Sequence, residues 1–150
     1  MSTALRWGIL STARINRSLI PALRLSSRNQ LVGVASRSLE KAAVYAREWQ
    51  IPKSYGSYED LLADPEIDVV YNPLPNNLHA PWTIQAIQAG KNVLVEKPLA
   101  LSVEEFDTVA NAARQAGVFV AEAFTHRHHE KTRKVVELVH SGAIGRLCQV

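Results

Sequence analysis

The chain has 150 residues, 47% of them hydrophobic and 21% charged, with a formal net charge of +3. That is enough for one domain with a sizeable core and too little for two. The mild positive excess, without a basic stripe interleaved with aromatics, argues against nucleic-acid binding and suits a small anionic ligand. One cysteine, Cys148, leaves no internal disulfide framework and no multi-cysteine metal site. The start "MSTALRWGIL" lacks the basic and long apolar regions of a signal peptide, and no stretch approaches the ~18 apolar residues of a membrane span. A soluble cytoplasmic protein is the default expectation.

In chain order, "LRWGIL" (5–10) reads as a strand running into the first turn of a helix. "LVGVAS" (31–36), "DVVYN" (68–72), "NVLVE" (92–96) and "VFVAEAF" (118–124) read as further strands. They are apolar on consecutive positions, as in parallel strands covered on both faces. Helical patterns fill the gaps. Residues 38–49 put Leu39, Ala42, Ala43 and Ala46 on one face behind a Ser38 cap. Residues 78–89 stop at Gly90 and 103–116 at Gly117, the latter opening with a Ser102/Glu105 capping box. Residues 130–141 end at Gly142, and "GRLCQV" (145–150) looks like a new strand. Trp7, Trp49 and Trp82 each sit in an amphipathic pattern that assigns them to packing.

Strands alternating with helices imply an α/β fold: a Rossmann-type doubly wound parallel sheet with helices on both faces. We expect residues 1–142 to form a dinucleotide-binding domain and 143–150 to open a further α/β domain.

In such a sheet ligands bind beyond the C-terminal strand ends, so the segment after each strand is informative. After the first strand comes "STARIN", where Ser11, Ala13 and Asn16 stand at the three glycine positions of a G-x-G-x-x-G fingerprint. Ser11 can make the turn and offer a hydroxyl to a phosphate. Ala13 adds one methyl and leaves the backbone approachable. Asn16 is the poorest fit and is expected to point away from the sheet. Arg14 adds a charge where helical N–H groups already favour an anion. An ordinary strand–helix corner is the competing reading of this stretch.

After the second strand, "SRSLEK" offers Ser36, Arg37 and Lys41 instead of the acidic residue that would hold a ribose 2′-hydroxyl. Cations and a hydroxyl suit a 2′-phosphate; a solvated polar loop is the alternative. "NPLPNNLHAPW" stiffens the next loop with Pro73 and Pro75, and Asn77 can cap the helix that follows. This loop could line a ligand path or merely initiate a helix. Then "EKPLAL" places Glu96 and Lys97 where the crevice should lie, and a lysine there can donate to a substrate hydroxyl or move a proton. An exposed ion-paired lysine is the bland alternative. His126, His128 and His129 lack metal-ligand spacing, and Arg127 reads as part of a polar rim facing a phosphate; no metal is expected.

"RWGILSTARI", "VASRSLEKA", "YNPLPNNLHAPW", "VLVEKPLAL", "VAEAF" and "HSGAIGRL" follow in this order. Together they resemble the N-terminal domain of the glucose–fructose oxidoreductase / inositol dehydrogenase / MocA family. Its dimeric dihydrodiol dehydrogenase and NADP-dependent xylose dehydrogenase branch is the nearest. The resemblance implies an enzyme that moves a hydride between NADP, rather than NAD, and a CH–OH/C=O carbon of a sugar, polyol or trans-dihydrodiol. It implies that Ser11, Thr12, Ala13, Arg14 and Ile15 form the pyrophosphate turn. Ser36, Arg37 and Lys41 hold the 2′-phosphate. Pro73, Leu74, Pro75, Asn76, Asn77 and His79 line the path to the nicotinamide, and Glu96 lies by its ribose. Lys97 is the catalytic lysine, and Pro98 often follows a cis bond. A following α/β domain would supply most of the substrate pocket and the contacts of a homodimer or homotetramer, so this chain alone should turn over slowly or not at all. A non-catalytic dinucleotide sensor on the same fold is the alternative reading.

Overall fold

The structure is a computed structural model and describes residues 4–148. A single sheet of six strands runs in the order β3-β2-β1-β4-β5-β6, and every pairing is parallel. The strands are β1 (Leu5–Leu10), β2 (Asn29–Ala35), β3 (Lys53–Tyr55), β4 (Val69–Asn72), β5 (Asn92–Val95) and β6 (Val120–Glu122). The helices are α1 (Asn16–Arg24), α2 (Leu39–Glu48), α3 (Tyr58–Ala63), α4 (His79–Gln88), α5 (Val103–Ala116) and α6 (Glu130–His140). This order is that of the doubly wound dinucleotide-binding sheet, with the direction of winding reversing between β1 and β4.

The two faces of the sheet bury separate apolar cores. Ile9, Val34 and Tyr71 meet Ile20 of α1 and Ala46 of α2 on one face. Leu10, Val70, Val93 and Val95 meet Leu61, Ala86 and Val109 on the other. Covering on both sides is why these strands read as unbroken apolar runs. The tryptophans pack as expected: Trp7 and Trp49 lie against the first core, and Trp82 sits edge-on to Tyr58 with ring centroids 4.9 Å apart.

Local signals set most helix ends. Ser38 accepts the Lys41 N–H and Ser102 the Glu105 N–H, while the Glu105 carboxylate returns to the Leu101 N–H at 2.8 Å. Gly117 closes α5 at φ +66°. Three expectations are corrected. β3 and α3 were absent from the sequence reading, since a three-residue strand and a six-residue helix carry too little periodicity. Asn77 caps nothing: it lies in a 3-10 turn, Asn76–Leu78, and Leu78 occupies the cap position of α4. Residues 145–148 form no strand, because no neighbouring strand among the described residues pairs with them; 149 and 150 lie outside the described residues.

Candidate active site at the sheet switch point

The C-terminal ends of β1 and β4 bound the crevice at which the winding reverses. Ser11 leaves β1 at φ +74°, the left-handed region that a glycine enters freely, and its N–H donates to the Ala35 carbonyl at 2.9 Å. It thus performs the backbone task of the first fingerprint glycine, at a strain of about 1–2 kcal/mol. Asn16 overturns its expectation. Its side chain is fully buried, and Nδ2 donates to the Ser11 carbonyl at 3.0 Å. The amide compensates its own burial by tying the turn to α1. Among the described residues its Oδ1 finds no partner. Burial pushes the Tyr45 phenol up, and the Asn16 amide beside it pulls the other way.

An open cleft of about 590 Å³ lies between α1 and α2, lined by Thr12, Ala13, Arg14, Arg17, Lys41 and Tyr45 among others. Arg14 and Lys41 both line this cleft, while Ile15 is exposed at the helix start. Beyond β2, Ser36 is buried and its N–H donates to the Tyr55 carbonyl. Arg37 is exposed and stands near Tyr58: burial raises that phenol and the Arg37 charge lowers it. Ser36, Arg37 and Ser38 include no carboxylate to meet a ribose 2′-hydroxyl.

The loop after β4 divides into an inner and an outer part. Pro75, Asn76 and Asn77 are exposed, whereas Pro73, Leu74 and His79 are buried. Asn72, fully buried, donates to the His79 carbonyl at 3.0 Å and to Thr83 Oγ1 at 3.2 Å, and accepts the Leu74 N–H. His79 Nδ1 lies 2.6 Å from the Pro98 carbonyl oxygen and Nε2 lies 2.6 Å from that of Leu74. A neutral imidazole has one N–H to give, an imidazolium two. Each ring nitrogen of His79 thus faces a backbone carbonyl, one in the loop after β4 and one in the loop after β5. It shapes the crevice from inside and does not line it.

Lys97 is exposed immediately beyond β5, and among the described residues it makes no ion pair. Its peptide bond to Pro98 is cis. Three side chains hold this segment. Tyr71, 1% exposed, donates its hydroxyl to Glu96 Oε1 at 2.7 Å. His79 meets the Pro98 carbonyl, and Glu122 of β6 accepts the Leu99 N–H at 2.8 Å. Burial and then the Glu96 carboxylate hold the Tyr71 proton well above the usual phenol range, so this hydroxyl is a standing donor. The sequence reading missed Tyr71, Asn72 and Glu122. The available signal was a polar residue near the end of an otherwise apolar strand. The 3-10 turn Thr125–His128 presents His126, Arg127 and His128 on the rim beyond β6. No three His, Cys, Asp or Glu side chains among the described residues are grouped to hold a metal ion.

This geometry agrees with a direct comparison: residues 5–124 match the model of the Gfo/Idh/MocA oxidoreductase family, which has an NAD-binding Rossmann fold. The chain belongs to this family. It is 46% identical over 136 residues to a D-xylose 1-dehydrogenase (NADP(+)) of Haloferax volcanii, covering 90% of this chain and 42% of that one. It is 42% identical over 144 residues to a trans-1,2-dihydrobenzene-1,2-diol dehydrogenase of Xenopus laevis, covering 95% and 44%. Among solved structures, a variant of a 3-ketoreductase from Actinomadura kijaniata in complex with TDP-benzene and NADP superposes with a TM-score of 0.90. That pair is 32% identical and covers 97% of this chain and 45% of the other. The chain therefore spans less than half the length of these relatives. Within the family domain, the departures from glycine at 11 and 16 are met by a left-handed serine and a buried, turn-binding asparagine.

Proposed function

We propose that this chain is the NADP-binding domain of an oxidoreductase acting on a CH–OH/C=O carbon of a sugar, polyol or trans-dihydrodiol. The carrying observation is Lys97: an exposed ammonium with no ion pair among the described residues, held at the crevice by Tyr71, His79 and Glu122 through its neighbours. The residues present fit a dinucleotide. The left-handed Ser11 brings the turn to the start of α1, where free backbone N–H groups can receive a pyrophosphate and Arg14 adds charge. Ser36, Arg37 and Lys41, with no carboxylate among residues 36–38, favour NADP over NAD. The names of the xylose dehydrogenase and the 3-ketoreductase complex support the same cofactor.

In this reading Pro75, Asn76 and Asn77 flank the cofactor from the loop after β4, with Pro73, Leu74 and His79 behind them. Glu96 accepts a hydroxyl of the nicotinamide ribose. When bound, the nicotinamide supplies the hydride exchange. Lys97 is the catalytic residue: its Nζ donates to the substrate oxygen, orients it and passes a proton to or from it. The substrate pocket and the contacts of a homodimer or homotetramer belong to an α/β domain beginning after residue 142. The relatives' greater length supports this, as does α6, none of whose side chains is buried. No helix among the described residues is long and apolar enough to cross a membrane.

Fluorescence titration of the chain with NADPH tests the binding half; a signal that fails to saturate refutes it. Lys97→Ala, made in a preparation competent for turnover, tests the catalytic half. Turnover should fall with NADPH affinity intact. Unchanged turnover would favour the sensor reading.

A further inference from the structure

We propose that Tyr71 is a positioning residue for the nicotinamide half of the site: it locks one oxygen of Glu96 so that the other faces the cofactor ribose. The inference rests on the dinucleotide reading above and adds a residue to it.

The sheet register sets the geometry. Tyr71 lies opposite Leu94, and Glu96 follows two residues later, on the same face of the sheet. The phenol can therefore span from β4 to the end of β5. Its ring is packed with Ile9, Ile20 and Val34 and has no room to swing. A hydroxyl carried this deep into an apolar core is costly unless bonded, and phenylalanine would fill the same space without it. Its partner at 2.7 Å is Glu96 Oε1.

A carboxylate offers two oxygens. Tyr71 fixes Oε1, and among the described residues Oε2 has only the long 3.4 Å approach of the Lys97 N–H. In a 3-2-1-4-5-6 sheet the adenosine lies over the β2 side and the nicotinamide over the β4–β5 side. Oε2 thus remains as an acceptor on the nicotinamide side. Freed of Tyr71, the Glu96 carboxylate can rotate and lose that aim. It can also turn to the adjacent Lys97 ammonium, with which it makes no ion pair in the structure.

The test is a thermodynamic cycle on the full 150-residue chain: wild type, Tyr71→Phe, Glu96→Ala and the double variant. Each is titrated with NADPH and with 2′,5′-ADP, which carries the adenosine half alone. Tyr71→Phe should weaken NADPH about tenfold, the scale of one hydrogen bond to a charged group, and leave 2′,5′-ADP unchanged. In the Glu96→Ala background the same substitution should cost NADPH nothing further. A loss shared by both ligands, a loss that persists without Glu96, or no loss at all overturns the proposal. Wild-type chain that binds 2′,5′-ADP but not NADPH overturns it too. Wild-type chain that binds neither overturns the dinucleotide reading itself.

Discussion

Arg37→Ala separates NADPH from NADH. Arg37 is exposed, beyond the end of β2, and forms no ion pair among the described residues, so alanine breaks no ion pair. The melting temperature should hold. A 2′-phosphate carries about −1.5 to −2 charges at pH 7. One guanidinium about 5 Å away in a water-like dielectric is worth roughly 1.5 kcal/mol to it. Salt at ~0.15 M trims this, since its screening length is about 8 Å. The charge-dependent part of the NADPH loss is therefore about fourfold at this salt and about tenfold at low salt. Stacking of the guanidinium on adenine adds ~0.5–1 kcal/mol, and both cofactors lose that equally. NADH should thus weaken about two- to fivefold, and NADPH about four- to tenfold more than NADH, the larger ratio at low salt. Fluorescence titration of both reduced cofactors measures the ratio, and the NADPH-specific part should shrink in high salt. Equal losses for the two cofactors would show that Arg37 does not read the 2′-phosphate.

Two further substitutions probe the scaffold. In Gly8→Ala the new Cβ would stand 2.8 Å from Leu61 Cδ2 and 3.2 Å from Ile67 Cγ2, both in buried side chains. Overpacking of this kind costs about 1–3 kcal/mol, or a fall in Tm of roughly 3–10 °C by calorimetry; an unchanged Tm contradicts the packing of α3 on β1. Asp64 gives an acid limb to stability: bonds from Lys53, from the Tyr55 hydroxyl and from the Glu66 N–H hold its carboxyl well below the usual range. A depressed native value means that its stabilisation is complete above the ordinary carboxylate pKa of about 3.9 and drains as pH falls below it. The stability gap between wild type and Asp64→Asn should therefore be constant from neutral pH to about 5 and close progressively below about 4. A gap independent of pH would refute the assignment.

The fold was legible where the hydrophobic effect writes a long pattern. β1 announces itself as a mostly apolar run and the fourteen residues of α5 by period and caps. β3 and α3 do not, because three and six residues are shorter than the windows over which a period can be read. The outer residues proposed for the site are nominated by position. Arg37, Lys41 and Lys97 are charged groups placed just past strand ends, and the topology rule says where strand ends converge. The turn at Ser11 was legible in position but not in mechanism. No side-chain type reveals that a serine will sit at φ +74° or that an asparagine five residues later will bind its carbonyl.

The residues that escaped are of one kind. Tyr71 and Glu122 are polar groups whose partners come from the end of a neighbouring strand, Asn72 is satisfied by the loop and helix that follow it, and His79, foreseen as a ligand contact, bonds backbone in the same way. Tyr71 reaches Glu96 across 25 residues of chain, His79 reaches Pro98 across 19, and Glu122 reaches Leu99 across 23. A sequence shows that such a group is present, but only the fold shows what satisfies it. Tyr71, Asn72 and His79 lie in the core and Glu122 is half-buried on the edge strand, while Lys97 stands in solvent, so the proposed site separates two tasks. The groups proposed to meet ligand are free at their tips, and the groups proposed to aim them are held by internal hydrogen bonds. Substitutions of the first kind should change affinity or turnover at constant stability. Those of the second should couple the two, which is why the cycle at Tyr71 and Glu96 is read against a ligand that never reaches them.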